Sequence, residues 1–189
     1  MDRTDDLGER TKRSHRVYEG GLLSLRVDTV ELPDGRETSR EVVEHPGSVV
    51  IVPLLGRDRV VLVRQFRQPA GEALLELPAG TLSRGEDPDE CADRELVEET
   101  GYRAGRLKRM FSFYTAPGYS SELIHAYLAT DLVRVGQRAE EDEFIQVLEV
   151  EFSSALQMIE RGEIRDGKTI CGILYTSVMG SCGRFGRRD

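Results

Sequence analysis

Glu86, Arg94, Glu95, Glu98 and Glu99 fall within the stretch GTLSRGEDPDECADRELVEETGY, which runs from Gly80 to Tyr102. If the second half of this stretch is helical, Glu95 and Glu99 share a face and Glu98 lies one turn from Glu95. Like charges at those spacings repel by about 0.2–0.5 kcal/mol per pair on an isolated helix. Cations placed between them remove that penalty. Mg2+ takes an octahedral shell of oxygens and retains some waters, so two or three carboxylates and a diphosphate complete it. Such ions usually serve phosphate chemistry. The plainer alternative is a solvated acidic helix face, partly paired with Arg94.

The elements that must position these groups are legible in outline. Asp87 suits the N-cap of the helix, Pro88 its first position, and Glu90 completes a capping-box spacing. Gly101 suits the left-handed residue that ends it. Ala92 and Leu96 form an adjoining apolar stripe. Upstream, residues up to about Arg13 read as frayed. Leu22–Glu44 reads as a hairpin turning at Pro33-Asp34-Gly35, and Ser48–Leu54 with Arg59–Arg64 as a second hairpin. Leu74–Leu77 is a short strand. Further strands are expected near Leu107–Tyr114, Leu123–Leu128 and Phe144–Phe152. Two late helices follow, Ser153–Arg161 with a Ser-Ser cap and Thr169–Met179. The pattern is an α/β sandwich, a mixed sheet with one central helix and helices at the end.

A hydrophobic fraction of 39% and a charged fraction of 32% suit a globular chain with a sizeable core. The net charge of −8 argues against a general affinity for nucleic acid or an anionic membrane. Nothing approaches the ~20 apolar residues of a membrane span, and the polar N-terminus lacks the apolar core of a signal peptide. Cys91, Cys171 and Cys182 show no CxxC spacing. They read as reduced thiols of a cytoplasmic protein, neither a disulfide framework nor a zinc site.

The spacing Gly80, Glu86, Arg94-Glu95, Leu96, Glu98-Glu99, Gly101 resembles the Nudix hydrolase box, with Tyr102 at a place usually aliphatic. The flanks are similar to the ADP-ribose pyrophosphatase branch: REVVEH at Arg40–His45, VRQFR at Val63–Arg67, LLELPAG leading into the box, AYLAT at Ala126–Thr130, and Pro117 fifteen residues past Tyr102. The resemblance implies an α/β/α sandwich with a mixed sheet and an N-terminal antiparallel β extension. It divides the chain into residues 1–46, the dimer-forming extension, residues 47–182, the Nudix domain, and a tail at residues 183–189. It implies hydrolysis of ADP-ribose to AMP and ribose 5-phosphate with Mg2+ or Mn2+. A nucleotide sugar as substrate, or a sensor that binds ADP-ribose without cleaving it, are the alternatives.

By the same resemblance the Ala79 carbonyl, Glu95 and Glu99 hold metal and Glu98 assists. Glu86 and Arg94 pair to orient the loop, and Gly80 and Gly101 shape it. Arg67 and Arg40 contact substrate, Arg40 in the partner copy's site of a homodimer. The general base comes from a loop outside the box. The run Glu140-Glu141-Asp142-Glu143 matches that loop, with Glu141 as base and Glu143 as a further metal ligand. Arg64 reads as surface charge and Phe66 as core.

Overall fold

The computed structural model describes residues 7–56, 58–137 and 144–181. The chain divides into two compact units, Met1–Gly47 with Tyr114–Leu123, and Ser48–Phe113 with Ile124–Asp189.

The first unit is a three-stranded antiparallel sheet of β1 (Arg10–Glu19), β2 (Ser24–Glu31) and β3 (Glu37–Glu44), in that order. The β2–β3 hairpin spans the turn read from Pro33-Asp34-Gly35, with Glu31 opposite Glu37. Residues 10–13, read as frayed, instead belong to β1. Their side chains are charged, but cross-strand partners hold them: Arg10 and Lys12 both reach Glu31, at 3.0 and 2.6 Å. β1 is exposed along its whole length. The segment 114–123 joins this unit through Val43, whose N–H bonds the Tyr119 carbonyl at 2.7 Å and whose carbonyl accepts from Ser121.

The second unit is built on a seven-stranded mixed sheet. Its strands are β4 (Ser48–Leu55), β5 (Arg59–Arg67), β6 (Glu72–Glu76), β7 (Ala79–Thr81), β8 (Tyr102–Tyr114), β9 (Leu123–Arg134) and β10 (Gln146–Glu151). The main path runs β10-β5-β4-β9-β8, with β6 on β5 and β7 on β4. The expected hairpin of β4 and β5 pairs only at its tip, Leu54 with Val60 and Leu55 with Arg59. Away from the tip β4 runs parallel to β9 from Ser48↔Ile124 to Pro53↔Ala129. A strand enclosed in this way reads as a continuous apolar run, which SVVIVPLL is.

Helices cover both faces. Val50 and Val52 of β4 pack with Leu62, Ile124, Ala155, Ile164 and Ile173 on the side of α2 (Phe152–Glu160) and α3 (Gly167–Ser181). Val49 and Ile51 pack with Cys91, Ala92 and Leu96 of α1 (Pro88–Thr100) on the other. The alternation of β4 therefore separates two cores, as an α/β/α sandwich requires. α2 begins at Phe152 with Glu151 as its cap and no side-chain cap bond, so the Ser153-Ser154 pair lies inside the helix. Among the described residues no helix is long and apolar enough to cross a membrane.

Candidate active site

α1 carries the charged groups because its ends are fixed. Asp87 Oδ1 accepts the Asp89 N–H at 2.8 Å, a cap that stabilises a helix by about 1 kcal/mol. Among the described residues Glu90 makes no reciprocal bond to the cap. Asp89 also accepts from the Tyr127 hydroxyl of β9 at 2.5 Å, and burial together with this bond pushes the phenol pKa up. At the other end Gly101 adopts φ +73°, and an added Cβ would stand 2.6 Å from the Gln137 nitrogen. Only glycine satisfies both conditions. Gln137 Nε2 then donates to the Glu99 carbonyl at 2.8 Å, tying the helix end to the chain beyond β9.

Within this frame one guanidinium gathers three carboxylates. Arg94 Nε and Nη2 donate to Glu86 at 3.0 and 3.2 Å, and Nη1 to Glu95 and Glu98, each at 2.8 Å. The Glu86–Arg94 bond, helped by the Ser83 N–H, holds the Glu86 carboxyl below its ordinary range. The pairing with Glu86 raises Arg94 in turn, and Glu95 and Glu98 add to it. Cys91 beneath them is pushed up to about 12 by burial and by the charges of Glu86 and Glu95. At neutral pH it is a protonated thiol, and a thiol in that state is a poor nucleophile.

Glu95 lies over the start of the loop. A Cβ on Gly80 would stand 1.9 Å from the Glu95 carboxyl carbon and 2.0 Å from Oε1. The glycine is therefore a cradle for the carboxylate. Glu99 is 3% exposed, and its Oε2 accepts the Ala79 N–H at 3.2 Å. Ala79, Gly80, Glu95 and Glu99 thus meet where β7 faces α1.

The donor set here is oxygen only, which suits a hard divalent cation. Glu95 and Glu98 rest on Arg94, and among the described residues no three acidic, histidine or cysteine groups stand close enough to hold a metal. An ion must therefore draw Glu95 and Glu98 from the guanidinium, or join them beside it.

Arg67, at the end of β5, forks onto Glu76 of β6 through Nε and Nη2 at 2.7 and 2.8 Å. Its pKa is raised by Glu76 first and also by the charge of Glu99, so it shares the electrostatic field of the carboxylate cluster. Arg40 belongs to the first unit, where it pairs with Glu9 at 2.5 and 3.0 Å. Arg64 is exposed as expected. Phe66 is 59% exposed rather than core, because apolar type does not set the facing of a residue near a strand end. Glu141 and Glu143 lie outside the described residues.

Glu76 is the group that sequence reasoning missed. Its signal was a lone acid in the apolar run LLELPAG, since a charge flanked by leucines needs a buried partner.

A mixed sheet between helices, with a carboxylate helix seated on a glycine loop, defines a class of protein. The NUDIX domain model matches residues 44–171, and the nucleoside diphosphate sugar hydrolase N-terminal domain model matches residues 9–43. The chain belongs to the Nudix family. It is 40% identical over 171 residues to an ADP-ribose pyrophosphatase of Bacillus subtilis (strain 168), across 89% of this chain and 92% of that one. It is 41% identical over 149 residues to a GDP-mannose pyrophosphatase of Escherichia coli O1:K1 / APEC, across 72% of this chain and 76% of that one. The crystal structure of an ADP compounds hydrolase matches with a TM-score of 0.80 at 22% identity, covering 93% of this chain and 96% of that one. At that identity the likeness concerns the fold alone.

Proposed function

We propose that the chain is a metal-dependent pyrophosphohydrolase that cleaves ADP-ribose with water into AMP and ribose 5-phosphate. The observation that carries this reading is the seat of Glu95 over Gly80 beside Glu99 at the Ala79 N–H. It sets two carboxylates of α1 against the short strand and loop that begin at Ala79.

In this reading Glu95, Glu99 and the Ala79 carbonyl hold Mg2+ or Mn2+, assisted by Glu98 and by Glu143. Bound there, a divalent ion neutralises the diphosphate oxygens and makes water more acidic. Arg67 contributes donors to the diphosphate, a task that suits a planar guanidinium. Glu86 and Arg94 orient the loop, and Gly80 leaves room for Glu95. Glu141 accepts the proton of the attacking water. If Glu141→Gln turns over at the parent rate, the base is elsewhere.

Two copies form the working enzyme, with Arg40 serving the partner copy's substrate. The exposed edge strand β1, with Val17 and Tyr18 both more than half exposed, supports this pairing. Light scattering that returns the single-chain mass of 21.2 kDa at micromolar concentration would remove the shared site. A cytoplasmic setting belongs to the same reading, since Cys91 and Cys171 are free thiols.

A second substrate class has its own support. The GDP-mannose pyrophosphatase is as similar as the ADP-ribose pyrophosphatase, over a shorter span, and the N-terminal model is described by nucleoside diphosphate sugars. The deciding experiment offers ADP-ribose, nucleotide sugars, dinucleoside polyphosphates and NADH with Mg2+, with products read by chromatography. The expected result is the highest kcat/KM for ADP-ribose. Faster turnover of a nucleotide sugar selects the second class. Binding of ADP-ribose without any turnover makes the chain a sensor.

A further inference from the structure

Glu76 is 1% exposed, yet two cations meet it. Oε1 accepts from Arg67 Nε at 2.7 Å, and Oε2 from Arg67 Nη2 at 2.8 Å and Lys168 Nζ at 2.5 Å. Burial by itself pushes the carboxyl up, but the two cations outweigh it and the net shift is down. Lys168, in the first turn of α3, also donates to Asp166 Oδ1 at 3.0 Å. Asp166 Oδ2 caps α3 by accepting from the Thr169 N–H at 3.0 Å and hydroxyl at 2.6 Å. The Thr169 oxygen accepts in turn from the Leu77 N–H at 2.8 Å.

This network joins the N-terminus of α3 to the residues that lead into Ala79 and Gly80. One partner would neutralise a buried carboxylate, and Lys168, 16% exposed at its side chain, is suited to that alone. Arg67 is different, with 39% of its side chain still exposed. Glu76 occupies the Nε–Nη2 edge of the guanidinium, and Nη1 lies outside that fork. An arginine fixed along one edge loses little rotamer freedom when an anion meets the rest of the group.

We propose that Glu76 and Lys168 are positioning residues for Arg67: they clamp one edge of its guanidinium against β6 and α3, and so present the remaining N–H groups to the diphosphate. Lys168 fixes the plane of the Glu76 carboxylate, and Glu76 fixes the plane of Arg67. Thr169 carries the same α3 turn to Leu77, so the arginine and the entry to the glycine loop are held by one rigid set. The inference rests on Arg67 contacting the substrate diphosphate.

The test uses the full chain and two readouts. Calorimetry with ADP-ribose in EDTA gives Kd without turnover, and initial rates with Mg2+ give kcat and KM. Arg67→Ala is expected to weaken Kd by at least ~10-fold, Glu76→Gln by ~10-fold and Lys168→Met by ~3-fold, with the loss falling mainly on KM. Glu76→Gln placed on Arg67→Ala should cost nothing further, because the two act as a unit. A parent-like Kd in Glu76→Gln overturns the proposal. So does a fall in kcat at unchanged KM that tracks a loss of folded protein, which is the mark of a brace. If Glu76→Gln does not fold, a parent-like Kd in Lys168→Met overturns it instead. A parent-like Kd in Arg67→Ala removes the substrate contact and this proposal with it, while hydrolysis by the parent still stands. A parent that neither binds nor cleaves ADP-ribose overturns the functional reading itself.

Discussion

Two clusters of charge in the second unit are built on opposite plans. Around Arg94, one guanidinium faces Glu86, Glu95 and Glu98, so negative charge is in excess. Around Glu76, the cations Arg67 and Lys168 are matched by the anions Glu76 and Asp166. The first cluster is partly open to water, with Glu98 30% exposed at its side chain, whereas the second centres on a carboxylate removed from water. An unbalanced cluster at a surface has capacity for a further cation. A balanced one around a buried carboxylate has none, because Glu76 already holds two cations and a third would be buried without a partner. The contrast separates the groups that would gather an ion from the groups that hold an arginine still.

The largest expected effect comes from the buried acid that stands on α1 beside the open cluster. Glu99→Gln should lower kcat by at least roughly 10²-fold, since charge stabilisation by a held ion amounts to several kcal/mol. Near-normal turnover at saturating Mg2+ would remove Glu99 from that role. Next, Gly80→Ala tests the cradle. Its Cβ would overlap the Glu95 carboxyl, which is the movable end of a side chain, so the carboxylate shifts while the fold survives. Activity should drop by about 10-fold or more, with the melting temperature nearly unchanged. A large loss of stability with parent-like activity per folded molecule would make the glycine a folding requirement only.

Arg94→Met sharpens the contrast from the other side. It strips the open cluster of its cation, and because Arg94 is 36% exposed at its side chain the cost should be only about 1 kcal/mol. Mg2+ should then raise the melting temperature more in the variant than in the parent. An equal rise in both would show that the ion and the guanidinium do not share these carboxylates. The smallest effect is in acid. Glu86 and Glu76 both have folded pKa values below their ordinary 4.5. Their contribution is therefore complete above that value and is lost as pH falls through the depressed ones. A melting temperature that declines below about pH 4.5 in the parent should decline less steeply in Arg94→Met, where Glu86 has lost its partner. Parallel curves would remove Glu86 as a contributor.

How much was legible depended on the distance over which each feature is decided. α1, its Asp87 cap and the Gly101 stop are set within one short segment by helical periodicity and left-handed backbone geometry, and all three are present. The Glu86–Arg94 pair was readable for the same reason, since both ends sit on the loop–helix that the spacing defines. Where local cues competed with packing, the reading slipped. The Ser153-Ser154 pair looked like a cap, but the preceding strand runs to Glu151 and the helix begins directly after it. Phe66 looked like core, but its place near the end of β5 leaves it in water.

By itself the sequence determined the carboxylate helix, its glycine boundaries and the family to which they belong, because residues a few positions apart have their geometry set by the local backbone. Tertiary structure alone decided that β4 runs beside β9, and that Arg67, Glu76 and Lys168 share one buried network. Those partners come from strands and a helix far apart in the chain, and only burial of the two cores brings them within reach of each other.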